Sequence, residues 1–508
     1  MNTKQSKTGF VIAGLLLGIL MAAMDNTIVA TAMGTIVAEL GGMEQFVWVT
    51  SAYMVAVMAG TPIFGKLSDM FGRKRFFIFG MVLFLVGSAL CGTANSIVQL
   101  SIYRAVQGIG GGALMPIAFT IVFDIFPPEK RGKMGGLFGA VFGISSIFGP
   151  LLGAYITEYI GWNWVFYINL PIGVVALTFI GAFYHESLKH TKQSIDWFGA
   201  ATLVASVVCL MFALELGGQK YAWGSFAIIG LFAAFAVLFV AFLVAETRAS
   251  EPIISFAMFK QRLFASSNAV ALLYGASYIV AAIYIPIYVQ GVFGGSATNS
   301  GLILMPMMLG SVVGSQTGGF FTAKTSFRNI MIFSAVCFVL GILLLGTITP
   351  ETSRMLLTLY MILTGFGVGF SFSVLSMASI HNFDMRQRGA ATSANSFLRS
   401  LGMTLGITIF GIIQRNAFAS GIADAFAGGG GLPGGKLGDP RDMLSSEKRA
   451  LIPPDVLNQI TDTLSSSIAQ TFMWALLPAL LAAVFVFMMG SERVKPAESP
   501  PVPEASRG

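Results

Sequence analysis

Gly65-Lys66-Leu67-Ser68-Asp69-Met70-Phe71-Gly72-Arg73-Lys74-Arg75 joins two apolar runs, 46–66 and 76–94, and its reading decides the fold. The residue types describe a tight, charged connection at one face of a membrane. Gly65 and Gly72 permit close backbone approach and positive φ. Asp69 can face helix N-termini and neighbouring arginines, while Arg73, Lys74 and Arg75 hold that face in place.

The flanking runs belong to a longer series. A hydrocarbon core of ~30 Å needs about 20 residues per helix. Fourteen runs reach that length: 10–32, 46–66, 76–94, 98–122, 134–157, 164–184, 195–216, 225–245, 263–290, 299–322, 328–348, 355–378, 388–412 and 468–489. Of the 508 residues, 55% are hydrophobic and 10% charged, against about 25% charged in soluble domains. The chain therefore reads as an all-α polytopic membrane protein embedded in a lipid bilayer.

The net charge of +7 does not point to nucleic acid. Most of the 30 Lys and Arg fall in alternate connections, from Lys4 and Lys7 through Lys66, Arg73–Arg75, Lys130–Lys133 and Arg248 to Arg493. That bias places both termini on the cytoplasmic side and requires an even number of spans. The basic start followed by an apolar run has the outline of a signal peptide, but Asp25 interrupts it and no small-residue cleavage site follows, so it reads as a retained first helix. The opposite face carries one long connection, 414–467. It contains the glycine run 427–435 and then Pro453-Pro454 with Val456, Ile460 and Leu464 at helical spacing. The tail 491–508 is rich in Pro, Glu and Ser and reads as disordered and cytoplasmic. Cys91, Cys209 and Cys337 sit singly in apolar runs as packing residues, and neither they nor the three histidines have metal spacing. Gly430 to Lys436 has the glycine spacing of a phosphate loop. Leu437 follows where Ser or Thr must hold Mg²⁺, so an ATP site is not expected.

Asp25 lies near the middle of the first run and Arg104 inside the fourth. A charge at the bilayer centre costs roughly 2.5–3.5 kcal/mol on insertion scales, so each needs a partner, a cavity or, for the acid, a proton. Two readings stand: a proton-carrying carboxylate whose partner is Arg104, or a fixed structural pair that never titrates.

Several segments resemble one family. The stretch at 65–75 resembles the signature loop of the major facilitator superfamily, differing at Ser68. Leu100 to Gly112, around Arg104, resembles its fourth-helix motif. Ser145 to Ala154 is similar to the antiporter motif of helix 5, with Ser145 and Ala154 in place of the outer glycines. Met24-Asp25-Asn26-Thr27-Ile28-Val29 resembles the first-helix motif of the fourteen-helix drug:proton antiporter branch, with Ala30 and Gly34 departing from it. Trp162 to Gly173, Asp196 to Gly199 and Tyr284 to Gln290 match the same branch, and the resemblance covers roughly residues 10–490.

The resemblance implies a major facilitator fold. Two six-helix bundles, 1–184 and 251–490, flank two inserted peripheral helices in 185–250. It implies export of small lipophilic or cationic compounds from a bacterial cell, driven by the proton gradient without a cofactor, by a protein expected to be monomeric. Asp25 and Arg104 would couple protons; Gly65, Asp69, Gly72 and Arg73 would form the conformational switch. Gly149, Pro150 and Gly153 would belong to the antiporter motif, with Gly149 and Pro150 making a close-packed pivot against the second half. Trp48, Tyr53, Phe142, Tyr167, Tyr274, Tyr278, Phe370 and Arg399 are the candidates for a substrate cavity, where ring faces suit cations. The role of Arg399 is left open. Glu158 and Glu215, near outer helix ends, read as solvated. A dedicated exporter of one metabolite, antibiotic or lipid fits the same residues, as does an uncoupled facilitator or a transport-silent receptor.

Overall fold

The structure, a computed structural model, describes residues 7–41, 47–186, 195–218, 220–294, 297–426 and 453–494. The described residues are almost entirely helical. The glycine run, the phosphate-loop-like spacing at 430–437 and the tail from 495 onward lie outside them.

The first half comprises α1 (Thr8–Leu40), α2 (Val47–Phe71), α3 (Arg73–Cys91), α4 (Ile97–Ile125), α5 (Pro128–Tyr159), the short α6 (Trp164–Tyr167) and α7 (Asn169–Phe183). Next come α8 (Trp197–Leu216) and α9 (Phe226–Arg248). The second half runs through α10 (Phe256–Phe259), α11 (Arg262–Gly291), α12 (Ala297–Phe321), α13 (Phe327–Leu345), α14 (Arg354–Ile380), α15 (Arg388–Phe426) and α16 (Pro454–Met488). Thirteen spans in this set are long and apolar enough to cross a membrane. The more polar α12 completes the series by packing between α5 and α14.

Within the first half, α1 packs on α5 and α7, and α4 on α2 and α3; within the second, α11 packs on α15 and α16, and α14 on α12 and α13. The halves meet where α2 and α4 touch α15 and where α5 touches α12 and α14. The inserted α8–α9 pair lies outside this seam. Leu203, Val207 and Met211 of α8 and Phe242 of α9 share a core with Val55, Met58 and Ala59 of α2 and Phe397 of α15. Only 11% of the most apolar stretch of α9 is buried, as a lipid-facing helix requires.

Two expected boundaries move. The span expected at 388–412 continues as helix to Phe426, and the helix expected to lead into the last span is continuous with it from Pro454. The physical reason is an apolar stripe beyond the expected ends. Phe418 and Ile422 are buried in one core with Ile460, Leu464 and Ile468, and Gln414 Nε2 donates to Ser467 Oγ at 3.3 Å. Hydropathy alone ends a span where the polar residues begin, whereas a packed helix pair extends past them.

The decisive connection also tightens. Gly65 to Phe71 is helical, so the turn between α2 and α3 reduces to Gly72, at φ 117°. Only glycine adopts that backbone without strain. Gly65 has another function: a Cβ there would lie 2.7 Å from the Gly389 carbonyl oxygen of α15.

Candidate functional site: a buried ion pair and an interlock between the halves

Asp25 lies halfway along α1 and is completely buried. Its carboxylate is ion-paired with Arg104 Nη1. It also accepts from Gln107 Nε2 at 2.8 Å and Asn169 Nδ2 at 3.1 Å. Arg104 and Gln107 are three apart on α4 and share a face, while α6 ends just before Asn169 and so aims its amide inward. Asn169 Nδ2 also donates to Ser88 Oγ at 3.0 Å, and that hydroxyl donates to the Phe166 carbonyl at 2.8 Å. Asn169 Oδ1 is buried with no partner.

Arg104 is 1% exposed. Its Nε donates to the Val49 carbonyl at 3.2 Å and its Nη1 to Gln107 Oε1 at 2.7 Å, while the guanidinium lies 4.1 Å over the Tyr53 ring. Val49 and Tyr53 are on α2. The arginine therefore bridges the acid of α1 to the helix that carries Asp69. Neither charge is stable there alone, because removing one partner of a buried pair typically costs about 3–5 kcal/mol.

At the other end of α2, Asp69 accepts from the backbone N–H of Gly389 at 3.0 Å and of Ala390 at 2.9 Å. These are unpaired donors of the first turn of α15, and the helix dipole favours an anion there. Arg73 Nη2 donates to Asp69 at 3.1 Å. Fully buried, Arg73 also contacts the Met385 carbonyl and Asp124 at the end of α4, and Asp124 pairs with Arg388 Nη1 at 3.2 Å. Asp69, Arg73 and Asp124 of the first half thus grip Met385, Arg388, Gly389 and Ala390 of the second. The seam is closed on the side of the Gly72 turn.

Gly65 makes that closure possible. In Gly65→Ala, the added methyl must push the Gly389 backbone away, and overpacking of this kind costs about 1–3 kcal/mol. The penalty falls on the closed state alone. A cysteine at Thr392, 1% exposed here, is expected to react faster with a thiol reagent in Gly65→Ala than in the parent. Unchanged labelling would remove Gly65 from the interlock.

The antiporter-motif glycines face a different partner from the one expected. A Cβ on Gly149 would meet Thr27, and one on Gly153 would lie 2.8 Å from the Ile28 carbonyl, so both pack on α1 of their own half; Pro150 is half-buried beside them. The stripe of α5 that meets the second half is Gly136, Gly139 and Gly143, against Gln316, Ser315 and Val312 of α12. Spacing identifies a close-packing helix face, but its helical phase does not name the neighbour.

The eight cavity candidates do not converge on one place. Trp48 packs at a tilt on Phe212 of the inserted α8, with ring centroids 4.7 Å apart, and Tyr53 lies under Arg104. Tyr167 packs edge-on against Trp164. Tyr274 is buried between α11 and α13, its hydroxyl 3.2 Å from Ser334 Oγ, and Phe370 belongs to a ring cluster with Phe333 and Phe366. Phe142, Tyr278 and Arg399 remain half-buried. Tyr278 meets Phe372 edge-on, and Arg399 stacks on that same Phe372 ring at 4.7 Å. Gln107, Asn169, Asp124 and Arg388 were not expected as site residues. Gln107 lies within the quoted fourth-helix motif and Asn169 within the quoted Trp162–Gly173 stretch, so both were in view without a partner to assign.

The comparisons agree with this architecture. The family model described as Major Facilitator Superfamily matches residues 15–197 and 189–407. The chain is 60% identical over 498 residues to multidrug resistance protein 3 of Bacillus subtilis, covering 97% of each chain. It is 36% identical over 489 residues to multidrug transporter protein MdtP of the same organism, covering 94% of this chain and 90% of that one. Among solved structures, the proton:xylose symporter XylE superposes with TM-score 0.61 at 14% identity, covering 94% of this chain and 95% of the other. The human organic anion transporter MFSD10 superposes with TM-score 0.59 at 15% identity, covering 94% and 100%. A fourteen-helix order, two bundles joined at a charged interlock and these matches lead to one conclusion: the chain is a multi-pass membrane protein of the major facilitator superfamily, a transporter and not an enzyme.

Proposed function

We propose that the protein exports small lipophilic or cationic compounds in exchange for protons, by alternating access in a bacterial cell membrane, with the Gly72 turn and both termini facing the cytoplasm. The buried Asp25–Arg104 pair carries this reading. The names of the Bacillus relatives, a multidrug resistance protein and a multidrug transporter, support the substrate class.

The pair suggests how a proton is exchanged. Three donors, from Arg104, Gln107 and Asn169, converge on the Asp25 carboxyl group. A protonated Asp25 offers one O–H, and Asn169, already in contact with it, has an unused acceptor in its Oδ1. Rotating that amide by half a turn replaces donor with acceptor. Arg104, released from Asp25, keeps Gln107 of its own helix together with the Val49 carbonyl and the Tyr53 face, and the last two draw it toward α2. The same helix carries Asp69 in its last turn, so the protonation state near one end can bias the interlock at the other through one continuous element. The proton-motive force supplies ~2.3 kcal/mol per charge per 100 mV, enough for useful concentration ratios.

Two experiments test this reading. Cells expressing the protein should tolerate a panel of lipophilic cations better than control cells, and a protonophore should abolish the advantage; tolerance indifferent to the protonophore would favour an uncoupled facilitator. For orientation, a cysteine at exposed Arg75 should be labelled by an impermeant thiol reagent only after permeabilisation, and one at exposed Asp455 in intact cells. The reverse pattern would invert the topology and the direction of transport.

A further inference from the structure

The second half carries a half-buried charge in mid-membrane with no counter-ion among the described residues. Arg399 is the eleventh residue beyond the start of α15, roughly 16 Å into a core of ~30 Å. Its Nη1 donates to Ser371 Oγ and its Nη2 to the Ser371 carbonyl, both at 3.0 Å, which leaves three of the five guanidinium donors for a ligand. No carboxylate is at hand. The sequences of α11, α12, α13 and α14 contain no Asp or Glu. The acid of α15, Asp424, lies 25 residues further on, and Asp455 and Asp462 stand in the first turns of α16. At that depth a lipid headgroup cannot serve either. The contrast with Arg104, neutralised by Asp25, is complete.

The guanidinium also faces the right way. Thr392, seven residues earlier and so on nearly the same helix face, meets Thr120 of the first half at 3.5 Å, and Arg388 on that face pairs with Asp124. Residues 391–395 of α15 are buried in the closed seam, whereas 398–401 are half-exposed. Arg399 therefore stands where the seam opens, between the halves, held in place by Ser371 and Phe372.

We infer that Arg399 is the counter-ion for an acidic group on the transported compound, so that the protein takes amphoteric molecules bearing a carboxylate on a lipophilic or cationic body. This rests on the export reading above and narrows its substrate class. A planar guanidinium pairs with a carboxylate through two parallel hydrogen bonds, so a compound that carries one is held more tightly than one that is only cationic.

The test uses two fluorescent probes that differ by one group: a zwitterionic rhodamine with a free carboxylate, and its methyl ester. Binding to the purified full chain is measured by fluorescence polarisation, with gel filtration to show that each variant is folded. Wild type should bind the acid at least about tenfold more tightly than the ester, because masking the carboxylate leaves Arg399 unpaired. Arg399→Gln should level the two affinities, mainly by weakening the acid, and Arg399→Lys should retain part of the preference. Equal affinities in wild type, or an intact preference in folded Arg399→Gln, would overturn the assignment while leaving drug binding in place. Folded wild type that binds neither dye would contradict the export reading itself, and this inference with it.

Discussion

Asp25→Asn is expected to reduce proton-driven efflux to background at every pH, in protein that still reaches the membrane. The amide keeps the size of the side chain and one acceptor, but it cannot carry a proton. It also presents an NH₂ to a site already filled with donors from Arg104, Gln107 and Asn169, and it leaves Arg104 as an uncompensated buried cation. That second effect lowers stability by about 3–5 kcal/mol, a large part of the ~5–15 kcal/mol that holds a typical domain together. The two effects can be separated. Asp25→Asn combined with Arg104→Gln removes both charges, so thermal stability in detergent should recover while coupling stays lost. Wild-type efflux rates in Asp25→Asn across a range of pH would rule out a coupling role for the acid.

The second large effect belongs to Asp69→Asn, which should slow turnover far more than it weakens drug binding. Asp69 spans the closed seam, taking two backbone donors at the start of α15 as well as Arg73. Hydrogen bonds to a charged group are worth about 1.5–3 kcal/mol each, so losing the charge shifts the closed-to-open equilibrium by roughly tenfold or more. A ligand or mutation moves such an equilibrium only by its differential effect on the two states. Here the closed state alone is weakened. The protein should therefore dwell open on the side of the Gly72 turn, where drug binding persists or tightens while efflux falls. Equal loss of binding and efflux in folded protein would make Asp69 a structural or substrate-contacting residue instead.

What the sequence conveys about this machine depends on how costly each residue is where it sits. Asp25 and Arg104 announce themselves because a charge at mid-membrane needs a reason, and the structure brings the two together. Asp124 and Arg388 do not, because acids and bases at helix ends are cheap; only the fold reveals that these two clasp across the seam. Gln107 and Asn169 are amides, whose importance comes from being the donors around one carboxylate. The glycines of α5 show that close packing was legible while the partner was not. Gly149 and Gly153 of α5 pack against α1, and Gly136, Gly139 and Gly143 of α5 pack against α12. Aromatic rings were the least informative class, since Tyr274 and Phe370 fill a bundle interior as readily as they could line a cavity.

The central claim, that export is exchanged for protons through Asp25, is tested most directly in proteoliposomes loaded with a pH-sensitive dye. With protein inserted so that the Gly72 turn faces outward and the lumen made acidic, adding an amphoteric cationic drug outside should cause its uptake together with alkalinisation of the lumen. Both signals should vanish when the gradient is collapsed, and in Asp25→Asn the drug should drive no proton movement. Drug uptake that proceeds unchanged without a gradient, or with no proton leaving the lumen, would contradict the account.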